Sequence, residues 1–274
     1  MDLELKGKKA IVTGGSRGIG KSVALSLASE GVDIGICSRF TESLSATASE
    51  IERQTGQNVF FSAADTTDTE SVESFINSAA TALGGIDILI NNAAAPGGLV
   101  MGPLESASPD ELLSDIDTKV VGYLRAAKAV APYMKQQGWG RIINIGGLAA
   151  RSAGAFSGMR NLALTHFTKT LSNELGPHGI TVNIIHPGAT RTERTGPIQK
   201  SQAREQDLTI EEVERKAAAG IDIRRLVESE EIAYLTTFLA SPKASAITGE
   251  AIAAGGGVGS AAVSYTHLTL PTKA

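Results

Sequence analysis

Short apolar runs alternate with amphipathic stretches along most of the chain. Residues 9–13 (KAIVT) are a compact apolar run of the kind that forms a strand buried on both faces. In residues 18–30, Val23, Leu25, Leu27 and Ala28 give a helical pattern and Gly31 supplies a stop. A strand is predicted at 32–37, a helix at 41–55 ended by Gly56, and a strand at 58–63. Thr67 and Glu70 stand at capping-box spacing and open a helix to about residue 83, ended by Gly84-Gly85. A strand follows at 86–90. Ser108-Pro109-Asp110-Glu111 combines an N-cap serine, a proline at the first helical position and a glutamate three residues after the cap. The helix it opens runs to about residue 137, with room for a break.

A strand at 141–145 leads to a helix ending at 175, before Gly176-Pro177, then a strand at 181–185 and a turn at Pro187-Gly188. Residues 189–226 are polar and weakly patterned, with a short helix expected at 209–219. A segment that long inside a compact domain is expected to be a lid over a site. A helix at 230–239 and a strand at 250–253 close the pattern. Strands alternating with helices predict an α/β fold: a doubly wound parallel sheet of about seven strands with helices on both faces.

Composition narrows the partners. Glycine is high, 30 of 274 residues, about 11% against a usual 7%, which argues against a helical bundle and for tight turns. Twelve aromatic residues are too few for a base-stacking single-strand binder. The net charge is −4 and no basic run stands out, so no nucleic-acid partner is expected. Cys37 is the one cysteine, which excludes an internal disulfide, gives no zinc cluster and suits a reducing cytoplasm; no metal site is expected. No apolar stretch is long enough to span a membrane, and the first residues lack a basic region followed by an apolar run, so neither membrane nor signal peptide is expected. Residues 264–274 (SYTHLTLPTKA) read as a translated cloning or sequencing linker, with a natural tail as the alternative, so one domain is expected over 1–263.

Candidate chemistry begins at Thr13-Gly14-Gly15-Ser16-Arg17-Gly18-Ile19-Gly20, between the first strand and the first helix. Glycines allow a tight turn and let a pyrophosphate approach the free N–H groups of a helix N-terminus. The Gly-x-x-x-Gly-x-Gly spacing, preceded by threonine, resembles the short-chain dehydrogenase/reductase family, and further matches cover almost the whole chain. Asp65 matches the family's adenine-contacting aspartate. Asn91-Asn92-Ala93-Ala94 resembles its Asn-Asn-Ala-Gly motif, with Ala94 replacing glycine. Pro187-Gly188 with Thr192 matches the turn that holds the nicotinamide amide, and Thr248-Gly249-Glu250 with Gly255-Gly256 matches its C-terminal strand.

The resemblance implies a Rossmann-like fold and a nicotinamide cofactor held by Gly14, Ser16, Arg17, Gly18, Ile19, Gly20, Ser38, Arg39, Asp65, Asn91, Ala93, Pro187, Gly188 and Thr192. NAD-preferring members carry an acid at the end of the second strand. Here Ser38 holds that position and Arg39 follows, while Arg17 lies in the glycine turn. Two arginines favour a 2′-phosphate, so NADP(H) is expected ahead of NAD(H).

The family reaction implies an Asn-Ser-Tyr-Lys set, and counting from neighbouring segments puts Lys119, Gly147, Ser157 and Asn161 at those four positions. The loop between Gly147 and Ser157 is about three residues shorter than usual for the family. A one-residue shift would instead offer Phe156 and Arg160, which does not restore a proton donor. Lys119 and Asn161 suggest a swapped pair, an ammonium bonded to the amide near the nicotinamide ribose; two unrelated replacements are the alternative. Tyr123, one turn after Lys119, and His186 are further proton-transfer candidates, each with a structural reading as core or hydrogen-bonded residue. Arg151, Ser152 and Arg160 are candidates for a polar pocket lining, or face water.

Two functions stand open. One is an NADP-dependent oxidoreductase moving a hydride to or from a small alcohol or carbonyl substrate through a non-standard site. The other is a catalytically silent cofactor-binding subunit or NADP(H) sensor. The family resemblance also implies a homo-oligomer, dimer or tetramer, through the helices at about 110–137 and 158–175.

Overall fold

The computed structural model describes residues 1–95, 100–151 and 155–258. The elements run β1 (Lys9–Thr13), α1 (Gly18–Ser29), β2 (Asp33–Ser38), α2 (Thr41–Thr55), β3 (Val59–Ala63), α3 (Thr69–Leu83) and β4 (Ile88–Asn91). There follow α4 (Pro109–Ile116), α5 (Gly122–Gln137), β5 (Gly140–Ile145), α6 (Gly158–Leu175) and β6 (Ile180–Pro187). The last part holds β7 (Thr190–Arg191), α7 (Thr195–Gln206), α8 (Ile210–Ala218), β8 (Val227–Glu228), α9 (Ser229–Ala240) and β9 (Ala251–Ala254).

Seven strands form one sheet in the order β3-β2-β1-β4-β5-β6-β9, every neighbour pair parallel. The fold is the Rossmann-like doubly wound sheet expected. Alternate side chains of each strand serve opposite faces. Ala10 and Val12 pack with α1, α2 and α9 through Val23, Leu27, Leu44, Ile51 and Ile232. Ile11 packs on the other face with α3 and α5 through Phe75, Ile76, Val130 and Met134. Strand order reverses between β1 and β4, so a crevice opens beyond their C-terminal ends, where ligands bind in such sheets.

Three local details correct or sharpen the pattern reading. The α3 cap is Asp68, whose carboxylate accepts the Glu70 N–H at 3.0 Å, not Thr67. Thr67 is spent on Asp65, donating its N–H and its hydroxyl to Asp65 Oδ1 at 2.9 and 2.8 Å. The break between α4 and α5 is a π-helical turn over Asp117–Val121, and it contains Lys119. The 189–226 segment holds α7 as well as the expected α8. Because α7 buries only Gln199 and Ala203, it leaves almost no apolar stripe to read. The tail 264–274 and Ser152 lie outside the described residues.

Candidate active site

The glycine turn wraps the start of α1. Gly14 and Gly18 take left-handed backbone angles, φ +66° and +55°, which favour glycine. A Cβ on Gly20 would lie 2.3 Å from the Gly14 carbonyl oxygen and 2.4 Å from Asn92 Nδ2. Asn92, which belongs to the Asn91-Asn92-Ala93-Ala94 motif but not to the expected cofactor-holding set, fixes the turn: its Nδ2 donates to the Thr13 and Gly14 carbonyls, each at 3.1 Å. Thr13 Oγ1 accepts the N–H groups of Asn92 and Ala93 at 3.0 and 3.1 Å.

Beyond this turn lies a cleft of ≈ 340 Å³. Gly14, Ser16, Arg17, Gly18, Ile19, Ser38, Arg39, Asp65, Ala93 and Thr192 from the expected set all line it. Gly20, Asn91, Pro187 and Gly188 are not among the lining residues. Asn91 is fully buried, and its Nδ2 donates to Asn144 Oδ1 at 3.0 Å, turning inward rather than to the cleft. Gly188 packs on the end of β9, where a Cβ would meet Gly255 Cα at 2.7 Å. Asp65 is held below the usual carboxylate range by the Thr67 N–H, with Arg39 and Arg125 adding to it. Phe40, Ser43, Thr118 and Glu193 also line the cleft; none belongs to a periodic pattern or motif that would single it out.

None of the four positions matched to the family's catalytic residues is among the lining residues, although Thr118, next to Lys119, is. Lys119 is buried, and its Nζ donates to the Gly146 carbonyl at 2.8 Å. Burial brings its ammonium down to about 8. Asn161 is buried with Oδ1 unpaired, and its amide faces Gly147: a Cβ there would lie 3.0 Å from Nδ2. The expected Lys119–Asn161 bond is not formed: the ammonium donates to the Gly146 carbonyl, and Asn161 Oδ1 has no hydrogen-bond partner. Ser157, fully buried at the start of α6, accepts the Val100 N–H at 2.7 Å. It stitches the chain after β4 onto the base of α6.

The other candidates sort cleanly. Tyr123 is buried, donates to the Ile145 carbonyl at 2.9 Å, and is pushed well above its ordinary pKa by burial. His186 is buried; its Nδ1 accepts the Gly147 N–H at 3.0 Å, and its Nε2 meets Thr165 Oγ1 at 3.0 Å. Thr165 Oγ1 donates to the Asn161 carbonyl at 3.1 Å, so it accepts from Nε2–H and the ring is the neutral Nε2–H tautomer. Burial, aided by Arg151 and Lys119, brings His186 down to about 4. Arg160 turns away from the site into a buried ion pair with Asp115 of α4. Asn161, not Arg160, is the side chain that faces Gly147. Arg151 donates to the Ala251 carbonyl at 3.3 Å. Burial raises the Cys37 thiol to about 12, so it is inert.

A family model described as Enoyl-(Acyl carrier protein) reductase matches residues 14–259. The NADPH-dependent reductase BacG of Bacillus subtilis (strain 168) is 34% identical over 254 residues, 91% of this chain and 97% of that protein. The 3-oxoacyl-(acyl-carrier-protein) reductase FabG of Vibrio cholerae is 34% identical over 262 residues, 93% and 99% of the two chains. The crystal structure of L-sorbose reductase from Gluconobacter frateurii, complexed with NADPH and L-sorbose, superposes with a TM-score of 0.89 at 28% identity, covering 94% of this chain and 98% of that one. With a matching model over most of its length and relatives above 30% identity along nearly all of it, this chain belongs to the short-chain dehydrogenase/reductase family.

Proposed function

We propose that this chain is an NADP(H)-dependent reductase of small carbonyl compounds in which Lys119 carries the proton. A relative named as an NADPH-dependent reductase and a structural neighbour solved with NADPH support the cofactor, and the residues here suit it. The glycine cradle opens on the α1 N-terminus, and Arg17 and Arg39 line the cleft with Ser38 in place of an acid. NAD(H) is the weaker alternative for the same reason. When bound, NADPH supplies the hydride. Asn161 Oδ1, a buried acceptor with no partner, suits a ribose hydroxyl.

We read all four family catalytic positions as replaced, by Lys119, Gly147, Ser157 and Asn161. The observation that carries the reading is the place of Lys119, a buried lysine in the π-helical turn, next to Thr118, which lines the cleft; burial lowers its pKa to about 8. Such a group is charged at neutral pH yet gives up a proton far more readily than an ordinary lysine. In reduction its Nζ delivers the proton to the developing alkoxide. Tyr123 and His186 are unsuited, the first because burial pushes its phenol well above its ordinary pKa and the second because it is neutral with both ring nitrogens engaged.

Residues 1–263 are read as one domain with 189–226 as its lid. Leu113, Leu124, Met159 and Leu162 are exposed on α4, α5 and α6, which suits a homo-oligomer formed through those helices. A single buried thiol suits the cytoplasm.

NADPH fluorescence titration followed by a carbonyl panel tests the reading. NADPH binding and turnover that is lost in Lys119→Ala support it. Binding without any turnover would leave a silent cofactor-binding protein. No binding at millimolar NADPH would overturn the reading outright.

A further inference from the structure

Glu193 lies in the polar lid, and its carboxylate sits on the glycine turn. The Gly18 N–H donates to Glu193 Oε1 at 3.2 Å and to Oε2 at 2.9 Å. Gly18 opens α1, and α1 has no capping side chain at Arg17 and no acid in its first turn. A helix start of this kind attracts an anion through its free N–H groups and its partial positive charge. The feature that suits the turn to a pyrophosphate therefore also suits it to this carboxylate.

The carboxylate is delivered by an anchored turn, not by a free strand. Arg191 pairs with Glu228 at 3.1 Å and with Glu214 of α8. Thr190 and Arg191 pair with Val227 and Glu228 as β7 on β8. Thr192 donates its N–H to Thr195 Oγ1 at 2.9 Å where α7 begins. Between these anchors, a Cβ on Gly18 would meet Thr192 Cγ2 at 3.5 Å and Glu193 Oε2 at 3.8 Å. Thr192 and Glu193 thus lie directly over the turn.

We propose that Glu193 is a built-in competitor of the cofactor: its carboxylate holds the Gly18 N–H that the pyrophosphate needs, so it sets cofactor affinity and ties cofactor entry to release of this turn of the lid. The proposal rests on the NADP(H) reading. Pyrophosphate and carboxylate cannot share the N–H, and their like charges repel at that distance. Each molecule of cofactor bound therefore requires the Glu193 side chain to swing off α1.

The test uses the full-length protein with NADPH and with adenosine 2′-monophosphate, which carries the 2′-phosphate but no phosphate at the pyrophosphate position. Glu193→Gln and Glu193→Ala should each bind NADPH about three- to tenfold more tightly, the range expected from losing one competing charged cap. Their affinity for adenosine 2′-monophosphate should not change. The ligand-free Glu193→Ala protein should melt at a lower temperature, because α1 loses its cap. Unchanged or weaker NADPH binding in both variants would overturn the proposal. So would an equal gain for adenosine 2′-monophosphate, which would mean that only net charge had changed. Failure of the unsubstituted protein to bind NADPH is a separate result: it refutes the cofactor reading and the proposal with it.

Discussion

The Asn161 amide stands where a side chain at position 147 would go, since a Cβ on Gly147 would lie 3.0 Å from Asn161 Nδ2. The two residues are therefore coupled. A side chain added at position 147 crowds a fully buried amide. Gly147→Ser is expected to cost about 1–2 kcal/mol of stability, and Asn161→Ala in the same chain to recover much of it. A double-mutant cycle in urea measures this; strictly additive losses would contradict it.

Holding the Lys119 ammonium in the core costs stability. Its pKa falls from 10.5 to about 8 through burial, which corresponds to about 3 kcal/mol of folding free energy spent on holding the charge below pH 8. Between pH 8 and 10.5 the unfolded chain binds more protons than the folded one, so this penalty fades as pH rises. Lys119→Met should be at least as stable as the parent at pH 7, with the difference narrowing above pH 8, while carbonyl reduction falls about 10²-fold or more. In the parent, reduction should decline as pH rises through about 8. Denaturant unfolding and pH–rate profiles check both.

His186 holds the Gly147 N–H only while neutral. Its pKa is lowered to about 4, so between pH 4 and 6.5 the unfolded state binds more protons. Stability should be full above pH 6.5 and fall towards pH 4. His186→Gln, whose amide both accepts and donates, should flatten this dependence. His186→Phe, which leaves a half-buried N–H without its acceptor, should cost about 1–3 kcal/mol. Unfolding midpoints across pH 4–7 are the measurement.

Ser157 acts as a fastener in the structure. Its hydroxyl accepts the Val100 N–H in a fully buried setting. Ser157→Ala should lower stability by about 1–3 kcal/mol and leave the chemical step intact at a temperature where the variant is folded. A single-turnover rate that collapsed with the hydroxyl would give Ser157 a part in proton transfer.

Arg39 and Arg17 line the cleft where Ser38 replaces an acid. A charge-assisted bond to a 2′-phosphate is worth about 1.5–3 kcal/mol. Arg39→Ala should therefore weaken NADPH at least about tenfold and hardly alter NADH. Parallel titrations with the two cofactors decide it.

Most of the fold was legible because its signals are local. The run at 9–13 is β1. The helix at 41–55 has the bounds found, and Gly56 ends it in a left-handed turn. Ser108 caps α4 through the Glu111 N–H as its spacing predicts. The α3 cap was misplaced because Asp65 and Asp68 compete with Thr67 for the same local bonds. Helix α7 was missed because it buries a narrow stripe, so no apolar period marks it.

By itself, then, the sequence determined the order of strands and helices, the glycine turn before α1 and the absence of a hydroxyl at Gly147. Each depends on neighbours within a few positions, through periodicity, capping and backbone freedom. Only the tertiary structure decided which of the candidate side chains meet. Lys119 goes to the carbonyl of Gly146, 27 residues away, and not to Asn161. Arg160 turns to Asp115. Glu193 crosses 175 residues of chain to reach Gly18. Such pairings follow from where the crossovers of a parallel sheet bring distant ends together and from what burial then forces each polar group to find, and no local pattern carries that.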